Sequence, residues 1–381
     1  MLRLVHFLSL AVGLGAPCGP RDLDCWTQHV EAQLSRPCGR PVRLALVGAG
    51  SFARKAHLPS LRDASDCFAV GVVWSHTEVS ARRLAADVPP AKALWGEEGW
   101  RALLSEDLEL LDLVLPFKPR DEGVQSSFVR EALKAGFAVV SEKPIATTVA
   151  EAEELLSHGG RWYVAENWRF EPAFRVAAAA VHAGVLGEAG AVAFSAHSVS
   201  FMPPDVPYMQ PGSWRMSETS NWMADVGVHF AAALRLVLGE DLRLVAAATQ
   251  RLRPELRPFD TFAATLRTNA SVGQWLFSLS LPKPGPKTVP GLSDLDLQIS
   301  GPLGTLLVSR GSVQLLEASD ARSVAKVENF SSRSVESALR AAARGVLGEE
   351  QAELAPHLAL ADLQLVEAIG FFEQPPSKLE L

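Results

Sequence analysis

Val42-Arg-Leu-Ala-Leu-Val47-Gly48-Ala-Gly50-Ser-Phe-Ala53 is the stretch that decides the fold. Val42 to Val47 is apolar except for Arg43 and reads as a buried strand. It breaks at once into Gly48-x-Gly50-x-x-Ala53, followed by helical spacing to about Arg62. Strand, glycine turn and helix in direct succession are the setting in which GxGxxA marks a dinucleotide-binding turn. Gly48 permits the tight turn, Gly50 lets the backbone approach a pyrophosphate, and Ala53 allows close helix–strand packing. The helix start, at Ser51 and Phe52, adds amide donors and a partial positive charge.

Downstream the rhythm repeats. Phe68–Trp74, Leu110–Leu115, Phe137–Ser141 and Trp162–Glu166 read as strands. Glu78–Ala86 and Ser126–Ala135 read as helices, the second closed by Gly136. Thr148-x-x-Glu151 is a capping box opening a helix to about His158. This alternation predicts an α/β fold whose first domain is a Rossmann doubly wound parallel sheet. After about residue 170 the pattern changes. Helices at Ala173–Gly184, Met223–Leu238 and His357–Phe371 frame short alternating segments from Ala191 to Val308. These predict a C-terminal α/β domain with a large open, mostly antiparallel sheet. The expected division is a leader or linker over 1–41, a Rossmann domain over 42–166 and a substrate and oligomerisation domain over 167–381.

The 381 residues, 48% hydrophobic and 21% charged, suit two cores. A net charge of −7 without a Lys/Arg block argues against a nucleic-acid partner. Cys18, Cys25, Cys38 and Cys67 have no metal-ligand spacing, so no metal is expected, and they read as incidental rather than as a disulfide framework. Leu4–Ala16 has the size of a signal-peptide core and is too short to span a membrane. The expectation is therefore a cytoplasmic protein with no membrane partner, the alternative being a secretory or organellar one if residues 1–15 act as a signal peptide.

An acid that grips the ribose hydroxyls of NAD ordinarily ends the second strand; here Trp74-Ser75-His76-Thr77 stands instead. Ser75 and His76 leave room for a 2′-phosphate, which tilts the expectation toward NADP over NAD. Glu142-Lys143-Pro144 follows a strand at its carboxyl end, where such sheets gather their catalytic groups; by placement alone Lys143 reads equally as a group in the cofactor crevice or as a surface lysine in a strand-to-helix turn. Asp225 and His229 are four apart on a predicted helix and share a face, with Gly227 between them. By placement alone that pair reads as catalytic or, somewhat more readily, as a buried structural couple.

Strand–GxGxxA, then Glu142-Lys143-Pro144, Asn167-x-Arg169-Phe170 and Asp225-x-Gly227-x-His229, in this order over about residues 42 to 375, resembles the glucose–fructose oxidoreductase/inositol dehydrogenase (Gfo/Idh/MocA) family. The resemblance implies NAD(P)-dependent oxidation or reduction of sugars, polyols or related small alcohols and carbonyls. It places Lys143, Asp225 and His229 at the catalytic positions. Cofactor contacts are expected at the turn residues Gly48, Gly50, Ser51, Phe52 and Ala53, at Ser75 and His76, where the chain departs from the family's acid, and at Pro116, Asn167 and Arg169; the resemblance adds Glu142 and Lys143 as positions lining the nicotinamide ribose. On this reading Lys143 and His229 converge on one substrate oxygen, His229 as acid/base and Lys143 as the stabilising cation, with Asp225 orienting His229 or holding a substrate hydroxyl. Alternatives are a non-catalytic nucleotide-binding sensor or scaffold, and a lyase or hydrolase on the same scaffold. A homo-oligomer, dimer or tetramer, is expected from apolar residues read as outward-facing, including Trp275 and Phe277.

Overall fold

The computed structural model describes residues 17–116, 125–216, 221–282 and 294–372. Its first sheet is built from β1 (Val42–Val47), β2 (Phe68–Ser75), β3 (Lys92–Trp95), β4 (Leu110–Leu113), β5 (Ala138–Glu142) and β6 (Trp162–Ala165). All pairings are parallel, and the spatial order is β3-β2-β1-β4-β5-β6. This is the doubly wound Rossmann order, with the switch point between β1 and β4. Leu44, Leu46, Leu111 and Val139 are fully buried, as strands covered on both faces by helices require. Thr148 caps its helix as read, its hydroxyl accepting from the Glu151 N–H. Glu151 departs from a full capping box: its carboxylate takes the Thr147 N–H and hydroxyl.

The second sheet contains β7 (Ala193–Val199), β8 (Arg243–Gln250), β9 (Thr261–Arg267), β10 (Val272–Ser278), β11 (Asp296–Gly301), β12 (Gly304–Ser309), β13 (Ser312–Glu317) and β14 (Ser323–Glu328). The order is β14-β13-β12-β11-β7-β10-β9-β8, antiparallel except for β7 with β10. β8 and β14 form its two edges and are exposed along most of their length. Trp275 and Phe277 do not face outward. Both are fully buried and pack edge-on or tilted against Phe230 of the helix Val228–Leu238. The predicted alternation is present, but its large apolar residues turn toward the helix rather than toward solvent. Gln274 and Leu276 stand on the open side instead, in register with Thr265 and Ala263.

By compactness the chain divides into two units. One is Ser35–Phe170 with Arg333–Gln364; the other is Met1–Leu34 with Glu171–Ser332 and Leu365–Leu381. The Rossmann unit thus takes back a late segment. The reason is visible in the helix Ser334–Val346, whose Arg340 guanidinium reaches both carboxylate oxygens of Asp66, at 2.8 and 2.9 Å, and Glu336 at 2.8 Å. Gly345 lies so close to Tyr163 that a Cβ would stand 2.6 Å from its hydroxyl.

The stretch read as a leader holds structure. Leu23–Leu34 is a helix burying Leu23, Trp26, Val30 and Leu34, an i, i+3, i+7, i+11 stripe, within its own unit. The cysteines are not incidental either. Cys18 pairs with Cys25 and Cys38 with Cys67, and no free cysteine remains. Spacing cannot reveal such pairs, since the second joins the approach to β1 with the turn before β2. Residues 1–16, including the apolar run, lie outside the described residues. Among those described, no helix is long and apolar enough to cross a membrane.

Candidate active site

Gly48 ends β1 with φ +116°, a conformation that glycine adopts freely. A Cβ there would stand 2.2 Å from the Val114 carbonyl oxygen, so β1 and the exit of β4 approach as closely as they do only because Gly48 has no side chain. Gly50 is different: a Cβ on it would meet nothing within 4 Å. Its glycine keeps the space above the turn open, which is what a diphosphate laid along the backbone needs. Ala53 is fully buried, Phe52 is 43% exposed and Ser51 is exposed. Arg54 folds back to donate to the Ala49 carbonyl at 3.1 Å and steadies the turn. The residues present therefore fit a dinucleotide.

The helix that follows opens as a π turn, Ala53–His57, before becoming α-helical at Leu58. Its last residue, not singled out in the sequence, is a titratable group held on both sides. His57 is fully buried; Nδ1 donates to Asp112 Oδ2 and Nε2 to Glu142 Oε1, both at 2.8 Å. Two nitrogens facing two carboxyl groups favour the imidazolium, against a burial that also pushes the Asp112 carboxyl up. Burial alone would lower its pKa, but the charges and hydrogen bonds of Asp112 and Glu142 outweigh it and raise it to about 10. Gln125 adds a hydrogen bond from its side-chain amide to the Glu142 carbonyl oxygen at 2.6 Å. The cluster thus ties the glycine-turn helix, the centre of β4 and the Glu142-Lys143-Pro144 turn together. The signal was Asp112, a lone acid inside Leu110–Leu115, which reads as a buried strand. Lys143, half-buried, follows directly at the carboxyl end of β5.

Ser75 ends β2 and is 9% exposed; His76 is exposed and stacks edge-on against Trp74 at 4.8 Å. Ser75 is in register with Trp95, and the Arg82 guanidinium lies 4.9 Å over the Trp95 ring. The nearest acid in sequence, Glu78, is engaged by Arg82 at 2.7 Å. Pro116 is exposed, just before undescribed residues 117–124. Asn167 donates to the Ser334 hydroxyl at 2.8 Å. Arg169, 2% exposed, reaches both carboxylate oxygens of fully buried Asp362 at 2.9 and 2.8 Å, so its guanidinium serves the packing of its own unit.

In the other unit, Met223–Gly227 is again a π turn, running into the helix Val228–Leu238. π turns inside helices recur at functional sites. Asn221 starts the helix by accepting from the Ala224 N–H at 3.0 Å. Asp225 is 6% exposed and gripped by Arg215, whose Nε donates to Oδ2 at 2.5 Å and Nη2 to Oδ1 at 3.3 Å. Arg215 also lies 4.8 Å over the half-exposed Tyr208 ring. Neither residue was singled out in the sequence, because their loop has no periodicity. Gly227 makes room for side chains, not for a ligand: a Cβ would stand 3.0 Å from Met223 and 3.4 Å from Val366. His229 is half-buried between buried Val228 and Phe230, so the ring is not sunk in the core. No cluster of metal-ligating side chains occurs among the described residues.

Comparison with known proteins places these features. Residues 42–159 match the oxidoreductase family with an NAD-binding Rossmann fold, GFO/IDH/MocA, and residues 174–307 match a GFO/IDH/MocA C-terminal domain. The dehydrogenase FPY6 of Fusarium mangiferae is 30% identical over 240 residues, 60% of this chain and 67% of that protein. D-apiose dehydrogenase of Paraburkholderia graminis is 29% identical over 60% of this chain and 57% of its own length. The chain thus spans about two thirds or less of these curated relatives. An oxidoreductase of Thermotoga maritima superposes with a TM-score of 0.75 at 27% identity, covering 87% of this chain and 97% of that one. A 3-ketoreductase of Actinomadura kijaniata, solved with TDP-benzene and NADP, shares the fold with a TM-score of 0.67 at 22% identity, over 87% and 98% of the two chains. With both of its domains matched in sequence and a dehydrogenase among its relatives, the chain belongs to the Gfo/Idh/MocA oxidoreductase family.

Proposed function

We propose that this protein is an NAD(P)-dependent oxidoreductase acting on a CH–OH group, or the corresponding carbonyl, of a sugar, polyol or related small molecule. The observation that carries the reading is the β1 turn: Gly48 pressed against the β4 exit, Gly50 open above, and Lys143 at the carboxyl end of a strand in the same sheet. The turn residues Gly48 to Ala53 hold the dinucleotide, and the bound nicotinamide supplies the hydride exchange. The chain's own groups do the rest. Lys143 neutralises the alkoxide character that builds on the substrate oxygen. His229 exchanges that oxygen's proton. Asp225, held in a fork by Arg215, positions the helix start from which His229 projects. A sensor or scaffold has no use for a cation and an acid/base group at these positions. Lys143→Ala and His229→Ala should each lower kcat by about 10²–10⁴-fold. Cofactor affinity should survive His229→Ala. Full turnover in either folded variant, with sugars and polyols screened by nicotinamide absorbance, would overturn the reading.

Three narrower readings belong to the same proposal. NADP is preferred, because the β2 tip carries Ser75 and His76 with the Arg82–Trp95 stack beside them in place of an acid. The protein self-associates through the open face of its large sheet, where Leu276 and Val272 expose apolar side chains, 36% and 54% accessible, beside the small Ala263 and Thr265. It works in an oxidising compartment, which two disulfides consuming every cysteine favour over the cytoplasm.

A further inference from the structure

The chain has four asparagines, and they fall into two kinds. Asn167 and Asn221 are half-buried, are hydrogen-bonded to Ser334 and the Ala224 N–H, and precede Trp-Arg and Trp-Met. Asn269 and Asn329 are exposed and open Asn269-Ala-Ser271 and Asn329-Phe-Ser331. Both exposed asparagines therefore stand in Asn-x-Ser, with no proline within or directly after either triplet.

Their positions in the fold match one another. Asn269 lies in the turn between β9 and β10. Its backbone N–H donates to Asp241 at 2.7 Å, and its side-chain oxygen accepts at 3.3 Å from Arg243, the first residue of edge strand β8. The carboxamide is anchored through Oδ1, while Nδ2 is the atom a glycan would occupy. Asn329 directly follows the last residue of β14, the opposite edge, with φ +63°, a left-handed conformation that asparagine tolerates. An open edge presents unpaired backbone groups to other chains, and proteins cover or blunt such edges.

We propose that Asn269 and Asn329 are N-glycosylated, so that a bulky polar group stands beside each open edge of the eight-stranded sheet. The inference rests on the oxidising-compartment reading. In the transfer, Nδ2 of each asparagine forms a bond to the anomeric carbon of the first sugar of a lipid-diphosphate-linked oligosaccharide. The bond from that carbon to the diphosphate breaks, the lipid diphosphate leaves, and Nδ2 gives up one proton. The hydroxyls of Ser271 and Ser331 complete recognition on the still extended chain, so the burial of Ser271 after folding is no obstacle.

The test is expression of the full chain in a eukaryotic secretory host, followed by digestion with peptide N-glycosidase. The wild-type band should drop by two equal steps of mass, Asn269→Gln and Asn329→Gln should each lack one step, and Ser331→Ala should reproduce the second. Because transfer precedes folding, the readout survives even in a variant that folds poorly. Thiol alkylation of the same material separates the two readings. Blocked cysteines with no mass shift on digestion overturn the glycosylation and leave the compartment standing. Freely alkylated cysteines with no mass shift overturn both.

Discussion

At the scale of single residues, two glycines in one turn carry different duties. Gly48→Ala puts a methyl into the Val114 carbonyl at a positive φ and should impair folding itself. A Cβ on Gly50 meets no protein atom within 4 Å, so Gly50→Val should still fold and yet weaken dinucleotide binding by more than about tenfold, as titration of the purified variant can show. Undiminished affinity would move the diphosphate elsewhere. His57 sets a pH dependence. Its folded-state pKa, about 10, lies above the ordinary 6.5, so its pairing stabilises the fold fully below that ordinary value. The contribution is lost as pH rises through about 10, and the denaturant midpoint should fall over that window. Asp112→Ala leaves the buried imidazolium short of a partner; it should cost about 3–5 kcal/mol and flatten the alkaline slope. The glycine turn and the place of Lys143 at the carboxyl end of a strand are legible in the sequence because local pattern announces them. His57 is not, since its partners lie 55 and 85 residues away.

At the scale of elements, the proposed preference for NADP rests on the tip of β2. Ser75→Asp would set a carboxylate against a 2′-phosphate, and its effect should be to shift the ratio of NADP to NAD affinity toward NAD. A wild-type protein that already binds NAD more tightly would contradict the premise. Five of the six Rossmann strands could be read from apolar runs, and β3 could not: its Lys92-Ala-Leu-Trp95 is a partly exposed edge too short to show a period. β13, β14 and the helix Ser334–Val346 escaped for a related reason. The helix buries Glu336, Arg340 and Arg344, which by pattern belong to a solvated face; what they pair with includes Asp66, 274 residues from Arg340. Burial of charge is a tertiary fact, and periodicity does not contain it.

At the scale of the whole molecule, sequence reading gave two domains and the right class for each, but assigned the termini by order along the chain. Contacts assign them differently, because a disulfide and buried ion pairs outweigh proximity in sequence. Self-association is the property that belongs to this scale. Light scattering should return a multiple of the 40.9 kDa polypeptide mass, glycans aside, and Leu276→Arg on the open sheet face should lower it toward one copy. A single-copy mass for the unaltered protein at micromolar concentration would remove the claim. Trp275, the residue first expected there, belongs to the core; Trp275→Arg would report on folding alone.

The return of Arg333–Gln364 to the Rossmann unit has a consequence for synthesis on the ribosome. All six strands of the parallel sheet are translated by Ala165, yet the unit lacks the helix that neutralises Asp66 and the acid that receives Arg169. At ordinary elongation rates that material emerges roughly 10–40 s later, with the whole second sheet made in between. Both cysteines of the Cys38–Cys67 pair are already present by then. The early half can therefore be cross-linked while it waits, which holds the start of β1 and the turn before β2 together until the chain's last helices arrive to close it.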